Sequence, residues 1–203
     1  MGAKSVRPVT ALLALSEAIE ARDPYTRGHS VRVAQMAHEV GIRLGCDETR
    51  LSLLQLGGAL HDVGKLVVSE EILGKPGPLT DDEVAQVRAH PEAGARLVAL
   101  DPMLRPALPG VLYHHERWDG GGYPTGRAGT QIPFEARILA VVDCYDAMTS
   151  DRPYRAALPR EAAIAEVDRC AGSQFDPDVA VAFLAALESG AFGVTAALRA
   201  VAG

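Results

Sequence analysis

Residues 51–65 read LSLLQLGGALHDVGK, an apolar segment that closes on a histidine, an aspartate and a lysine. Three leucines and a valine recur there at intervals of three or four residues, the period of one face of an α-helix: Leu53, Leu56, Leu60 and Val63. This spacing predicts a core-facing helix that begins after Asp47 and ends near Gly64. Its last turn would carry His61 and Asp62 at the edge of the core.

The same helical period runs through most of the chain, and no segment alternates as a half-buried strand would. The remaining predicted helices run from Val9 to Arg22, from Tyr25 to Leu44, from Thr80 onward, from Pro133 to about Met148 and from Asp176 to Leu187. Helix-start signals mark the last three: the capping box of Thr80 and Glu83, a first-turn Pro133, and Asp176 before Pro177. The predicted fold class is all-α.

One long stretch between Tyr113 and Ile132 lacks this period and contains WDGGGYP at residues 118–124. A loop of that length without secondary structure is usually functional in a compact domain. Two interpretations stay open here. The loop either brings backbone and an aromatic edge to a ligand, or is a turn that only packs over the site.

Composition narrows the class of protein. With 203 residues, 48% hydrophobic and 23% charged, the chain fits one soluble globular domain. A net charge of −6 argues against a basic surface for polymeric nucleic acid, and no apolar run approaches the roughly 20 residues of a membrane span. Three widely spaced cysteines (Cys46, Cys144 and Cys170) predict free thiols in a reducing cytoplasm.

Six histidines are the strongest chemical signal. His29 lies four residues before Val33 and falls on the buried stripe of its helix, whereas His38 falls on the opposite, solvent-facing side. A single core histidine is more often a hydrogen-bonded structural residue than a ligand, and the pair His114-His115 could be a partly exposed loop pair.

Asp143 and Asp146 weaken those alternatives, because they share one face of a helix beside an apolar run that must face the core. Buried carboxylates are costly unless they are paired or bind a metal. Imidazole and carboxylate together suit zinc, iron or manganese better than calcium or magnesium. The sequence therefore predicts a buried transition-metal site.

These residues belong to an ordered series of motifs that is similar to the HD-GYP signature and spans roughly Val9 to Leu187. The motifs are His61-Asp62 with Gly64-Lys65, then His90, then residues 114–124 (HHERWDGGGYP), residues 143–155 (DCYDAMTSDRPYR) and residues 174–177 (QFDP). The resemblance implies an HD-superfamily helical bundle with a glycine-rich GYP loop. It places this domain at residues 9–190, between an N-terminal extension at 1–8 and a C-terminal tail at 191–203.

The function that the resemblance implies is metal-dependent hydrolysis of cyclic di-GMP to linear pGpG and, in some members, on to GMP. It carries the metal ligands onto His29, His61, Asp62, His90, His114, His115 and Asp143, with Asp62 bridging two ions. It carries substrate contacts onto Lys65, Gly122, Tyr123, Pro124, Arg152 and Arg155, with Asp146 close by. Asp62 and Lys65 are the catalytic candidates.

Some family members have a glutamate where this chain has Tyr25, and that glutamate helps to hold a third ion. The resemblance therefore implies two divalent ions, iron or manganese in the native protein, although zinc, nickel, magnesium or calcium could occupy the site in a crystal. Two other functions stay open: hydrolysis of another nucleotide, and a catalytically silent cyclic-dinucleotide receptor. A homodimer and an upstream sensor domain or protein partner are also compatible with the sequence.

Overall fold

Every regular element in the described part of the chain is helical. The computed structural model describes residues 14, 16–21, 27–151 and 156–192. Residues 14 and 16–21 are helical, and nine α-helices with defined bounds follow: α1 (His29–Arg43), α2 (Glu48–Leu60), α3 (Glu70–Leu73), α4 (Asp81–Arg88), α5 (His90–Ala99), α6 (Leu108–Tyr113), α7 (Phe134–Thr149), α8 (Arg160–Arg169) and α9 (Pro177–Glu188). Short 3-10 helices cover Val63–Val67, Arg105–Ala107 and Gly129–Gln131. The all-α prediction is confirmed.

The helix-start signals act as the sequence predicts. Thr80 and Glu83 form a complete capping box at the start of α4. Asp176 caps α9 through the backbone N–H of Asp178. Pro133 is the N-cap of α7, so that helix begins one residue later than predicted. Helices α3, α5, α6 and α8 were not predicted separately, because each is only 4 to 10 residues long and completes too few turns to give a clear apolar period.

The buried face of α2 differs from the predicted one. Leu51, Leu54 and Leu60 are buried, whereas Leu53 and Leu56 are only partly covered. Gly57 and Gly58 share the buried face with these leucines. A hydrophobic pattern does not register glycine, because glycine has no side chain. Here the two glycines let neighbouring helices approach closely, so the face of α2 that carries them is buried in place of the predicted leucine face.

Two apolar clusters form the core on either side of the candidate ligands. The larger one joins α1, α2, α7, α8 and α9, and the smaller one lies between α2, α5 and α6. Ile138, Leu139, Val141 and Val142 of α7 are completely buried. Helix α7 therefore carries Asp143 and Asp146 through the middle of the protein. No helix in the described residues is both long and apolar enough to cross a membrane.

Gly58 should be required for the contact between α1 and α2. A Cβ atom at this position would lie 2.6 Å from Ala34 Cα and 2.8 Å from Ala34 N, which are backbone atoms that cannot rotate away. Gly58→Ala should therefore lower the free energy of unfolding by about 1–3 kcal/mol, as overpacking does. The measurement is urea unfolding followed by circular dichroism.

Gly57→Ala is the matched control for Gly58→Ala. Its Cβ would meet Leu139 Cδ1 at 3.3 Å, and that side-chain end can shift. The higher helix propensity of alanine, worth about 1 kcal/mol, should offset this small adjustment. Equal destabilisation by the two substitutions would contradict the role given to Gly58.

Candidate metal centre

The seven predicted ligands lie together where five helices meet. They come from the start of α1, the residues after α2, the start of α5, the residues after α6 and the middle of α7: His29, His61, Asp62, His90, His114, His115 and Asp143. Four of the histidines are at most 2% exposed: His29, His61, His90 and His114. Three overlapping groups of these side chains have ligand atoms close enough together to hold a metal ion.

Three of these histidines are oriented by the same kind of hydrogen bond to a backbone carbonyl at the end of a helix. Nδ1 of His61, His90 and His114 lies 2.7–2.9 Å from the carbonyl oxygen three residues earlier. The last carbonyls of a helix have no N–H partner within that helix, so they are available to accept from a side chain. Because a carbonyl can only accept, the proton of each neutral imidazole lies on Nδ1 and Nε2 carries a lone pair.

The Nε2 lone pairs face one another. Nε2 of His90 lies 3.2 Å from Nε2 of His114, and Nε2 of His29 lies 3.2 Å from Nε2 of His61. Between His90 and His114, two lone pairs at this distance repel each other unless a cation lies beside both of them. Buried neutral imidazoles with Nε2 directed to a common space are the donors that a divalent transition metal prefers. The donor set therefore fits a divalent metal ion.

Asp62 lies between two groups of histidines. Its Oδ2 is 3.4 Å from His61 Nε2 and 3.8 Å from His29 Nε2, and its Oδ1 is 3.3 Å from His90 Nε2. Asp143 completes the first group, with Oδ1 3.2 Å from His29 Nε2. Each oxygen of Asp62 thus faces a different group, which is the arrangement that a carboxylate shared by two ions requires.

Burial and neighbouring charges together set the protonation of the centre. Burial alone would raise the pKa of Asp62, but Lys65 and His61 hold it well below its usual range. Burial lowers the pKa of His114, with His115 adding to the effect, and lowers that of His115 to about 3. These carboxylate and imidazole groups are therefore already in the forms that bind a cation.

His29 is the exception among the candidate ligands. Burial alone would lower its pKa, but hydrogen bonds to Asp143 and Asp146 outweigh burial and raise the pKa to about 9. A ligand imidazole must have an unprotonated nitrogen, so a cation entering this group would displace a proton from His29. The two carboxylates that attract the proton would equally attract the ion.

Asp146 holds His29 in place, a role that the sequence did not predict, and its predicted place beside the substrate stays a prediction. Its Oδ2 accepts from His29 Nδ1 at 2.7 Å, and both oxygens accept from the Arg32 guanidinium at 2.6 and 2.9 Å. Asp146 is only 4% exposed. Its carboxylate therefore fixes the ring of His29 with Nε2 toward the centre and is already fully engaged on that side of α7.

Glu20 fixes the start of α1 and was missed by the sequence analysis. Its two carboxylate oxygens accept from the backbone N–H groups of Gly28 and Ser30, each at 2.6 Å. These N–H groups flank His29, so Glu20 positions the first turn of the helix that carries this ligand. No sequence signal marks it, because the glutamate lies nine residues before the first residue of α1 and belongs to another helix.

Lys65 lies at the edge of the centre. This residue belongs to the short 3-10 helix that follows α2, and its ammonium group donates to Asp62 Oδ2 at 2.6 Å. Gly64 allows this turn to pass against α5, since a Cβ atom there would lie 1.9 Å from His90 O. The proximity of Asp62 and Lys65 therefore depends on backbone packing next to the candidate ligand His90.

The glycine-rich loop folds over one side of the histidine cluster. The ring of Tyr123 stacks on His115 with centroids 4.8 Å apart, and Tyr123 N donates to His115 O. Gly122 crosses the backbone of residues 115–117 so closely that a Cβ atom would lie 2.4 Å from Arg117 N. Gly122 is thus required for packing inside the loop and also lines one of the two cavities beside the centre, whereas Tyr123 lines both. Pro124 is partly buried and lines neither of these two cavities.

Glu116 fastens this loop from inside and was also absent from the predicted site. It is 2% exposed and accepts from Thr125 N at 2.7 Å, Thr125 Oγ1 at 2.7 Å and Arg127 N at 3.1 Å. Its position directly after His114-His115 could have suggested this role, because a buried carboxylate needs donors and the loop that follows offers backbone N–H groups.

Three predicted residues lie outside the described residues: Tyr25, Arg152 and Arg155. Their predicted roles stay predictions. His38 is not part of the centre. Its side chain is 27% exposed and lies 3.8 Å from Glu39, so it is more covered than the predicted surface position.

Comparison with known proteins agrees with this geometry. Residues 14–179 match the HD domain. This chain belongs to the HD-domain family. A cyclic di-GMP phosphodiesterase response regulator of Xanthomonas campestris pv. campestris is 39% identical over 80% of this chain and 44% of that protein. A 3′3′-cGAMP-specific phosphodiesterase of Vibrio cholerae is 37% identical over 86% of this chain and 38% of that protein.

This HD-domain chain thus spans less than half the length of either relative. A solved structure of a cyclic GMP-AMP specific phosphodiesterase from Vibrio cholerae covers 91% of this chain and 49% of that chain, with a TM-score of 0.66 at 18% identity. At that identity the likeness concerns the fold alone. The prediction of HD-GYP family membership from the motifs is confirmed.

Asp146→Asn should weaken metal binding without unfolding the HD domain. Asparagine lacks the carboxylate charge, and whichever way its amide turns, its NH₂ group faces a donor: Arg32 Nε on one side, or His29 Nδ1 and Arg32 Nη2 on the other. The ring of His29 is therefore held less firmly with Nε2 toward the centre. Metal affinity should fall about 10- to 100-fold. Metal titration measures this, and Asp168→Asn on the exposed face of α8 is the control. Unchanged affinity in Asp146→Asn would refute the role given to Asp146.

Glu116→Gln should loosen the glycine-rich loop. The glutamine side chain can keep one acceptor but directs an NH₂ group at a backbone donor, so a buried N–H loses its partner at a cost of about 1–3 kcal/mol. Amide hydrogen exchange across residues 120–127 should become faster while the metal content stays normal. Glu188→Gln, on an exposed helix end, should change neither quantity. Unaltered exchange in Glu116→Gln would show that other contacts hold the loop.

Proposed function

We propose that this chain is a metal-dependent phosphodiesterase that opens cyclic di-GMP to linear pGpG and can continue to GMP. The observation that carries the proposal is the position of Asp62, with one oxygen toward His29 and His61 and the other toward His90. Two divalent ions, iron or manganese, would be held by the seven candidate ligands. The mixture of imidazole and carboxylate donors supports these metals.

The reaction attacks a phosphodiester anion and must expel a poor alkoxide leaving group. Bound divalent ions would supply Lewis-acid charge at the phosphoryl oxygens and lower the pKa of the attacking water. The chain itself supplies the orientation, because the histidine rings are fixed through Nδ1 and cannot turn when the substrate enters. Neutral imidazoles also leave the positive charge of the ions uncancelled.

Lys65 would stabilise the substrate as charge develops on its phosphoryl oxygens. Its ammonium group lies at the cavity of about 440 Å³ that also reaches Asp62, His90 and Tyr123. A charged donor gains strength as negative charge accumulates on the acceptor, so Lys65 would favour the transition state over the ground state. We also assign phosphate contacts to Arg152 and Arg155 on the strength of their motif positions.

Tyr123 would border the substrate from the loop side. Its ring lines the same cavity and is held on His115, and burial raises the pKa of its phenol, so it stays protonated and able to donate a hydrogen bond. This position supports the interpretation of the loop as a ligand-contacting element. It also shields His115 from solvent.

Hydrolysis of 3′3′-cGAMP is the second candidate function. The chain has almost the same identity to a relative named for that substrate as to one named for cyclic di-GMP, so overall similarity does not separate the two. Product analysis with both cyclic dinucleotides distinguishes them. A catalytically silent receptor would bind a cyclic dinucleotide without releasing any product.

Regulation is part of the proposal as well. One relative is named as a response regulator, and this chain spans 44% of its length. We therefore propose that the activity is controlled in the cytoplasm by an upstream sensor domain or a protein partner. We also propose that a homodimer contact contributes to this control. Size-exclusion chromatography of the purified chain at several concentrations tests the homodimer.

Asp62→Ala should remove both metal and activity. The substitution deletes the carboxylate placed between the two histidine groups, so each group would lose an oxygen ligand and its negative charge. Elemental analysis should find less than half of the wild-type metal, and turnover of cyclic di-GMP should approach background. His38→Ala is the control and should change neither. Full metal occupancy in Asp62→Ala would disprove the bridging assignment.

A further inference from the structure

A second cavity, of about 340 Å³, lies between the glycine-rich loop and α7 and reaches Asp143 at the metal centre. Its volume falls in the range of about 300–1,000 Å³ that is usual for small-molecule sites. Besides candidate ligands, its wall includes Arg88, Arg117, Tyr123 and Gln174. No role described above uses Arg88, Arg117 or Gln174, although the last of these opens the QFDP motif.

The orientation of the Gln174 amide follows from its partners. Arg117 Nη1 donates to Gln174 Oε1 at 3.1 Å, and Asp119 holds the same guanidinium through Nε and Nη2. A guanidinium can only donate, so Gln174 must present its oxygen to Arg117 and its NH₂ group to the other side. There, Nε2 reaches Cys144 Sγ at 3.8 Å. A thiol sulfur is a weak acceptor, so a stronger acceptor brought by a ligand would be preferred.

Gln174 is also rigidly placed by the backbone around it. Trp118 N donates to Gln174 O at 3.0 Å, and Asp119 N donates to Ser173 O at 2.8 Å, which joins the glycine-rich loop to the segment before α9. The following Phe175 is 1% exposed and anchors this segment in the larger apolar cluster. The amide donor is therefore preorganised toward the cavity, and little ordering is required when a ligand binds.

The other side chains on this wall are also hydrogen-bond donors. The exposed Arg88 guanidinium lies 5.1 Å from the centroid of the Tyr123 ring, at the mouth of the cavity. Arg117 has five N–H donors, of which three are used by Asp119 and Gln174. A ligand group with adjacent acceptors would fit this wall better than one that pairs an acceptor with a donor.

We propose that this cavity binds a guanine base and that Gln174 Nε2 selects guanine over adenine by donating to its O6/N7 edge. Guanine presents two acceptors there, whereas adenine presents N7 as an acceptor and its N6 amino group as a donor. The inference rests on the proposed function, since it assigns one base of the cyclic dinucleotide to this cavity. It extends that function by giving the chain a preference for guanine.

The test measures binding separately from turnover. Isothermal titration of manganese-loaded protein with GMP and with AMP is independent of catalysis, because neither ligand contains a phosphodiester. The wild type should bind GMP about 10- to 100-fold more tightly than AMP, the discrimination expected of a well-placed base contact. In Gln174→Glu the Arg117 contact is kept but an acceptor replaces the donor, so this preference should disappear. Gln131→Glu, an exposed glutamine in the 3-10 helix before α7, makes the same charge change and should retain it.

Equal affinities for GMP and AMP in the wild type, no binding of either, or a preference that survives in Gln174→Glu would overturn the inference. Gln174→Met, which has a similar volume and no amide donor, replaces Gln174→Glu if the latter does not fold. The rate of hydrolysis of bis(p-nitrophenyl) phosphate, which has no base, should be unchanged in Gln174→Glu. If this rate falls together with the guanine preference, Gln174 acts on the metal centre and the inference is also overturned. If the wild type cleaves this ester but no cyclic dinucleotide, the proposed function fails while the GMP and AMP titrations still decide the base site.

Discussion

The arrangement of the centre depends on hydrogen bonds between histidine Nδ1 and acceptors that cannot donate in return. His61, His90 and His114 use carbonyls at the ends of helices, and His29 uses the carboxylate of Asp146. Each bond directs an Nε2 atom into the same buried space, where unprotonated nitrogens repel one another. Such an arrangement is stable only beside positive charge, which protons supply to His29 and which metal ions would supply to all of them.

This requirement explains why the ligands come from helix ends. A helix end has unpaired carbonyls that can fix an imidazole, and several ends can meet at one point without their backbones competing for space. Asp143 is the exception, because it lies inside α7, and that helix is buried on nearly all sides. The core and the centre therefore share one element, so a change in the packing of α7 would also move a candidate ligand.

Much of the centre could be predicted from the sequence, because its residue types have few structural uses when buried. The seven candidate ligands converge, and the capping box and Asp176 cap the helices that the sequence assigned to them. Side-chain contacts outside the ligand set, between residues far apart in the chain, could not be predicted. Asp146 engages Arg32, Glu20 caps a helix that begins nine residues later, and Gln174 meets Arg117, since each pair depends on how the helices pack.

The sequence by itself determined the helical class through its apolar period, and the family, with the candidate ligands, through its motifs, because residue types and their spacing are local properties. Only the tertiary structure decided that Asp62 faces two groups of histidines and that Asp146 supports His29. It also decided which face of α2 is buried, since Gly57 and Gly58 allow a close helix contact that a hydrophobic pattern does not register. Distances between helices set these features, and a linear pattern contains no such distances.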